Sequence, residues 1–303
     1  MHLNKGLLYA ASAYILWGIF PIFFKALHQV PATQIVAHRI VWSFLFLIVV
    51  IAARQELFAF KGVINRRTLL IYLGAGLLLA VNWLVYVWSV NSGYVVEASL
   101  GYFINPLVSV VMGVVILRER LRPVQWLPVG LAALGVAYLT LSYGTLPWIA
   151  LVLALTFGMY GLVKKVAPLG SLYGLTMETG MVFLPALVFL LVEDRLGVGA
   201  YARAGLWTTI LLSLTGVVTA IPLLMFASGA RRVPLSTMGL LQYITPTLQF
   251  ILGVFVFGES FNQARLVGFS MIWLALIVFS VESFIYWRKV SGPTVPLPVE
   301  SKA

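Results

Sequence analysis

The chain has 303 residues, 61% of them hydrophobic and 10% charged, with a formal net charge of +11. A soluble globular domain carries roughly 25% charged residues, so this much apolar side chain excludes a water-solvated fold and makes lipid the solvent. The chain has no cysteine, which excludes disulfides, thiolate metal sites and cysteine nucleophiles; His2, His28 and His38 are too scattered for a metal cluster, and no cofactor is expected.

Ten apolar segments follow one another at roughly 5–26, 32–53, 69–91, 97–117, 123–142, 147–163, 172–192, 208–229, 236–257 and 264–287. Most reach the roughly 20 residues a helix needs to cross a bilayer core. The predicted fold class is an all-α integral membrane protein of ten transmembrane helices. The first segment holds Ala11-Ser12-Ala13, which looks like a signal-peptide cleavage site. Apolar residues continue past it to Phe24, so it reads as a retained span. The stretch Arg54–Arg67 reads as an interfacial loop, and residues 289–303 as a disordered cytoplasmic tail.

Lysine and arginine set the expected orientation. With the N-terminus in the cytoplasm, the inner segments hold Lys5, the Arg54–Arg67 stretch, Arg118, Arg120, Arg122, Lys164, Lys165, Arg231, Arg232 and the C-terminal Arg288, Lys289 and Lys302. The outer segments hold Lys25, Arg195, Arg203 and Arg265, and Arg39 lies within a span. The asymmetry, fifteen basic residues against four, fits the positive-inside rule with both termini cytoplasmic. A multi-pass protein of a bacterial inner membrane is expected. The basic balance is thus a topology signal. Charges split among short loops do not build a nucleic-acid surface, so no nucleic-acid partner is expected.

A shift of 140 residues aligns the chain with itself. Gly18 meets Gly158, Lys25 meets Lys165, Gly76 meets Gly216, Pro106 meets Pro246, Gly113 meets Gly253 and Glu119 meets Glu259. A duplicated unit of five spans accounts for this, with 1–145 as the first copy and 146–288 as the second. Five is odd, so the second copy enters the membrane from the opposite side, the inverted-topology arrangement of many secondary transporters.

"AYILWGIFPIFFK" (Ala13–Lys25), "NWLVYVWSVN" (Asn82–Asn91) and "EASLGYFINPL" (Glu97–Leu107) together resemble the RarD group of EamA-type proteins in the drug/metabolite transporter superfamily. The resemblance covers nearly all the chain up to about residue 290. It implies two inverted EamA repeats and a central cavity between helices 1–4 and 6–9, with helices 5 and 10 peripheral. Proteins of the group are often described as chloramphenicol-sensitive permeases, and the resemblance brings no catalytic residue. The second copy departs from the Glu97–Leu107 pattern, with Thr237 at the glutamate position, so the site is expected to be asymmetric.

The polar residues inside the spans are the candidates for a substrate path. Pro106 and Pro246 each lack an amide hydrogen and crowd the carbonyl four residues back, on Tyr102 and Gln242. A carbonyl freed at mid-membrane must face protein or a wet cavity, and Asn105 and Thr245 adjoin these points. The alternative is a kink made only for packing. Arg39 marks a pathway or an ion partner by default, or snorkels to the surface. Glu178 and His38 align under the shift and are the candidate proton-coupling groups; the alternative for Glu178 is a hydrogen-bonded structural carboxyl. No basic residue lies three or four positions from Glu178 on its own helix, so it is expected to be unpaired. Asn82 is either a site amide or interhelical glue. Trp17 and Trp88, with Trp83, are candidates for an aromatic lining, and Glu97 for capping of the fourth helix.

No HExxH, P-loop or cluster of acidic metal ligands occurs. The expected function is therefore a secondary transporter, an exporter of small amphipathic metabolites or drug-like compounds. Its expected partners are a small-molecule substrate and the lipid bilayer. A membrane-embedded enzyme acting on a lipid or other hydrophobic substrate is the alternative.

Overall fold

The structure is a computed structural model; it describes residues 5–91, 95–141, 148–256 and 263–290. The expected tail lies largely outside these residues, as does the side chain of Glu97. In a bilayer every backbone polar group must be satisfied within the chain, and the regular secondary structure of the described residues is helical throughout. The helices are α1 (Lys5–Lys25), α2 (Ala32–Ala53), α3 (Leu57–Gly62), α4 (Arg66–Asn91), α5 (Val95–Val115), α6 (Trp126–Leu141), α7 (Trp148–Val166), α8 (Ser171–Arg195), α9 (Leu206–Ala230), α10 (Leu235–Gln242), α11 (Ile244–Ile251) and α12 (Gln263–Val290). The short α3 lies in the expected interfacial stretch, with Phe60 buried and Phe58 almost wholly exposed.

Among the described residues, α1, α2, α4, α6, α7, α8 and α9 are long and apolar enough to cross a membrane. The sixth expected span is longer than its apolar run suggests, because α7 continues through Lys164 and Lys165 to Val166. The other expected spans fall on α5, on α12 and on the segment from α10 to α11. That last segment is interrupted at Tyr243 and ends in a stretch of π-helix, Leu252–Val256.

The two aligned prolines behave differently. Pro246 sits in the first turn of α11, where no intrahelical amide bond is lost, and the helix before it stops at Gln242, the residue whose carbonyl the ring would crowd. Pro106 lies inside α5, which runs on without a break. The expectation of a matched pair of breaks is met only in the second half.

Helices 140 residues apart pack in matching ways. α1 lies on α9 as α7 lies on α4; α2 lies on α9 as α8 lies on α4; α1 lies on α11 as α7 lies on α5. The pairs α2–α8, α5–α10 and α6–α12 also pack together, and α6 and α12 pack chiefly on each other. Close approaches repeat the pattern. A methyl added at Gly18 would stand 2.6 Å from the Leu248 side chain, and one at Gly158 2.7 Å from that of Val108. One at Gly76 would stand 2.7 Å from the Glu178 carbonyl oxygen, and one at Gly216 would overlap the backbone of Trp42. Only a missing side chain lets these backbones approach so closely.

The centre between α1, α7 and α9 is aromatic. Trp17 meets Tyr14, Phe157 and Phe226 at ring-centroid distances of 5.7, 5.6 and 5.5 Å, and Tyr160 stacks on Phe226 at 6.0 Å.

Candidate functional site

Gln34, near the start of α2, donates to Glu193 Oε2 near the end of α8 at 2.9 Å. The two packed helices therefore run antiparallel. Arg39 is the eighth residue of α2 and Glu178 the eighth of α8, so they lie in opposite halves of the bundle. At 1.5 Å per residue their axial separation is roughly 15 Å.

Glu178 is not the isolated carboxylate expected from its own helix. Lys164 Nζ on α7 stands 3.1 Å from Glu178 Oε2, and the Tyr160 hydroxyl donates to Oε1 at 2.8 Å. Glu178 is fully buried and Lys164 is 3% exposed. The expectation of an unpaired group failed because the partner comes from the neighbouring helix. α7 and α8 are joined by a short turn, and the lysine stem spans the offset in register between the two side chains. Lys164 is accordingly a buried cation and not a loop charge. It also lies 5.7 Å from the ring centroids of both Tyr72 and Tyr160.

The opposite half holds Arg39, 7% exposed. Its Nε donates to Thr219 Oγ1 on α9 at 3.0 Å. The guanidinium lies 4.4 Å from the Trp83 ring centroid and 5.1 Å from that of Phe24, with the phenols of Tyr86 and Tyr102 in electrostatic range. Those two rings meet edge to face at 5.5 Å. Arg39 is held inside the bundle and does not reach for the surface.

Between the halves is a cavity lined by Ile40, Gly76, Leu79, Trp83, Glu178 and Thr179. Its volume is about 10 Å³, space for no more than about one water. The family resemblance implies a central cavity between helices 1–4 and 6–9; the space found among the described residues is far smaller than a metabolite.

Both ends are clasped. At the Gln34 end, the same side chain also donates to the Val198 carbonyl and accepts from the Ala200 amide, each at 2.9 Å, and His38 stacks on Tyr201 at 5.1 Å. At the other end, Glu119 accepts from the amides of Leu235 and Ser236 at 2.7 and 3.0 Å and from Ser236 Oγ at 2.9 Å. It thereby caps α10, and Lys165 Nζ lies 3.6 Å away.

The remaining candidates divide. Asn82 donates to the Leu153 carbonyl and to Thr156 Oγ1, both at 2.9 Å, tying α4 to α7. Thr245 donates to the Tyr14 carbonyl at 2.8 Å, tying α11 to α1. Gln242 is buried at the interruption. Asn105 is buried with its Oδ1 unpaired among the described residues, as is His38 Nδ1. Trp17 is central, whereas Trp88 is half-exposed beside Trp148 and is not brought to the interior. The reading from residues alone missed Lys164, Tyr160 and Glu119 as parts of these networks. The Glu119/Glu259 match was the only signal for the last.

Comparison with known proteins places this arrangement. Residues 4–141 match the model of the EamA-like transporter family. The protein RarD of Streptomyces exfoliatus is 47% identical over 299 residues, covering 96% of this chain and 95% of that protein. The transporter YojE of Bacillus subtilis is 45% identical, with coverage of 95% and 97%. A solved crystal structure superimposes with a TM-score of 0.70 at 17% identity, covering 91% of this chain and 97% of the other, and so shares the fold. With near-complete coverage at such identity, and with an all-helical bundle of apolar spans, the chain belongs to the RarD group of EamA-type transporters.

Proposed function

We propose that this transporter is a carrier, not an enzyme, and exports small amphipathic molecules across the bacterial inner membrane by alternating access between two inverted five-helix repeats, 1–145 and 146–288. The packing pairs related by 140 residues support the repeats. Ten spans with both termini cytoplasmic agree with the distribution of lysine and arginine. The observation that carries the reading is the pair of buried charged sites, Arg39 and Lys164–Glu178, held in opposite halves around a cavity of about 10 Å³ and closed off by clasps at both ends. Polar groups of this cost inside a bilayer bundle serve a path for a solute or ion. Substrate is admitted when one clasp opens and the helices part.

Glu178 is the coupling group on this reading, with His38 as its counterpart in the first repeat. Proton uptake on Glu178 dissolves its ion pair with Lys164 and loosens α7 from α8; proton release restores both. The test is flux of radiolabelled metabolites in proteoliposomes, with and without a pH gradient. Substrate movement that responds to the gradient supports the reading, and the absence of carrier-dependent flux across a broad panel refutes it.

A further inference from the structure

Arg39 differs from the other buried cation in one respect. Lys164 has a carboxylate at 3.1 Å. Among the described residues Arg39 has none, because every described carboxylate is engaged elsewhere. Glu178 holds Lys164, Glu193 holds Gln34, Glu119 holds the start of α10, and Glu282, Asp194 and Glu56 hold Arg122, Arg203 and Arg54. A guanidinium has five N–H donors, and the structure shows one of them used, by Nε to Thr219. Trp83 and Phe24 lie against its cationic plane, which offsets part of the charge but supplies no hydrogen-bond acceptor.

A buried charge without a counterion is costly enough that proteins rarely keep one. In a membrane bundle such a residue marks the place of an ion or a charged ligand group. The planar fork of arginine matches a carboxylate in bidentate fashion. A single positive charge balances one negative charge, and a phosphate dianion would stay half-compensated there. The aromatic rings around Arg39 supply flat apolar surface beside the charge. Trp83 both stacks on Arg39 and lines the central cavity, so a molecule in that cavity reaches the arginine along the same ring.

We propose that Arg39 is the anchor for the negative charge of the transported molecule, which is an organic monoanion, a carboxylate carried on an apolar or aromatic body. This specifies the substrate class of the carrier described above and rests on that reading. Arg39 touches the carboxylate, Trp83 and Tyr102 flank the body, and Thr219 orients the guanidinium through Nε.

The test uses the full chain in phosphatidylcholine nanodiscs at constant ionic strength. The probes are benzoate, phenylacetate and 3-phenylpropionate, each beside its uncharged amide, with chloride as a plain anion. Thermal unfolding and tryptophan emission are read together. At least one acid should raise the melting temperature and change the emission at concentrations ten-fold or more below its amide and below chloride. Arg39→Gln should abolish the difference, and Arg39→Lys should weaken it while keeping the charge. The proposal is overturned if no acid is distinguished from its amide, if chloride does as well as the acids, or if the acids act equally on Arg39→Gln. Because the acid–amide comparison is made in the parent protein, poor folding of a variant does not blunt it. Flux of the same acids in proteoliposomes separates the two readings. Binding without flux removes the carrier and leaves the anion site, and flux without discrimination of acid from amide removes the anion site alone.

Discussion

Lys164 Nζ stands 3.1 Å from Glu178 Oε2, with both side chains withdrawn from solvent. Removing one partner of such a pair leaves an uncompensated charge and costs about 3–5 kcal/mol, whereas replacing both with apolar groups can be nearly neutral. Lys164→Met should therefore lower the melting temperature in micelles, and Lys164→Met combined with Glu178→Leu should recover much of the loss. A double change that costs the sum of Lys164→Met and Glu178→Leu measured singly would show that the two groups are not energetically coupled.

Transport should separate structural from coupling roles at the same residue. Glu178→Gln keeps the shape, and its amide still accepts from Tyr160, but it no longer titrates. The parent is expected to move substrate faster with a pH gradient, and the variant to respond much less. A parent indifferent to the gradient rules out proton coupling. An equal response in parent and variant moves coupling to another group, of which His38 is the first to replace.

The prolines should no longer be treated as equivalent. Pro246→Ala removes the obstruction that separates α10 from α11 and permits one continuous helix, so it is expected to reduce flux several-fold while membrane insertion persists. Pro106→Ala acts on a helix that is already continuous and should have the smaller effect. Flux and membrane-fraction abundance, measured for both variants, check the ranking. The reverse order would place the moving joint in α5.

Glu119 bridges the end of α5 to the first turn of α10 through three hydrogen bonds. Loss of a helix cap costs about 0.5–2 kcal/mol. Glu119→Ala should lower the melting temperature and increase labelling of a cysteine placed at Ser236, which is buried in the parent. Unchanged labelling would mean that the clasp does not control access.

Orientation can be read directly because the chain has no native cysteine. A single cysteine at Ala204, between α8 and α9, should react with an impermeant thiol reagent applied to intact cells. One at Asn65, between α3 and α4, should react only after lysis. The opposite pattern would invert the topology while leaving the packing unchanged.

Apolar runs of about 20 residues made the helices legible, and the 140-residue shift aligned Gly18 with Gly158, whose close neighbours Leu248 and Val108 are also 140 positions apart. Those features depend on composition and spacing along one chain. What could not be read depends on register between helices. Glu178 appeared unpaired because its partner lies 14 positions back, across a turn. Asn82 and Thr245 looked like site groups, yet their donors satisfy carbonyls on neighbouring helices. Trp88 shares a residue type with Trp17 but sits at a helix end against Trp148. In each case the sequence carried the residue's chemistry and its depth, while the partner was set by the rotation of another helix.

Among the described residues, the buried charges of the two halves do not cancel. Lys164 and Glu178 sum to zero, whereas Arg39 keeps its positive charge inside the bundle. A charge carried across the full membrane potential is worth about 2.3 kcal/mol per 100 mV, and a partial displacement is worth a fraction of that. On the proposed carrier cycle, the empty form is therefore the electrically sensitive one. If an organic monoanion sits on Arg39, the loaded carrier is neutral there and crosses its conformational cycle without feeling the voltage. The membrane potential would then act on the return of the empty carrier and set how fast it is reset, a dependence that current measurements on a planar bilayer would register as charge movement in the absence of substrate.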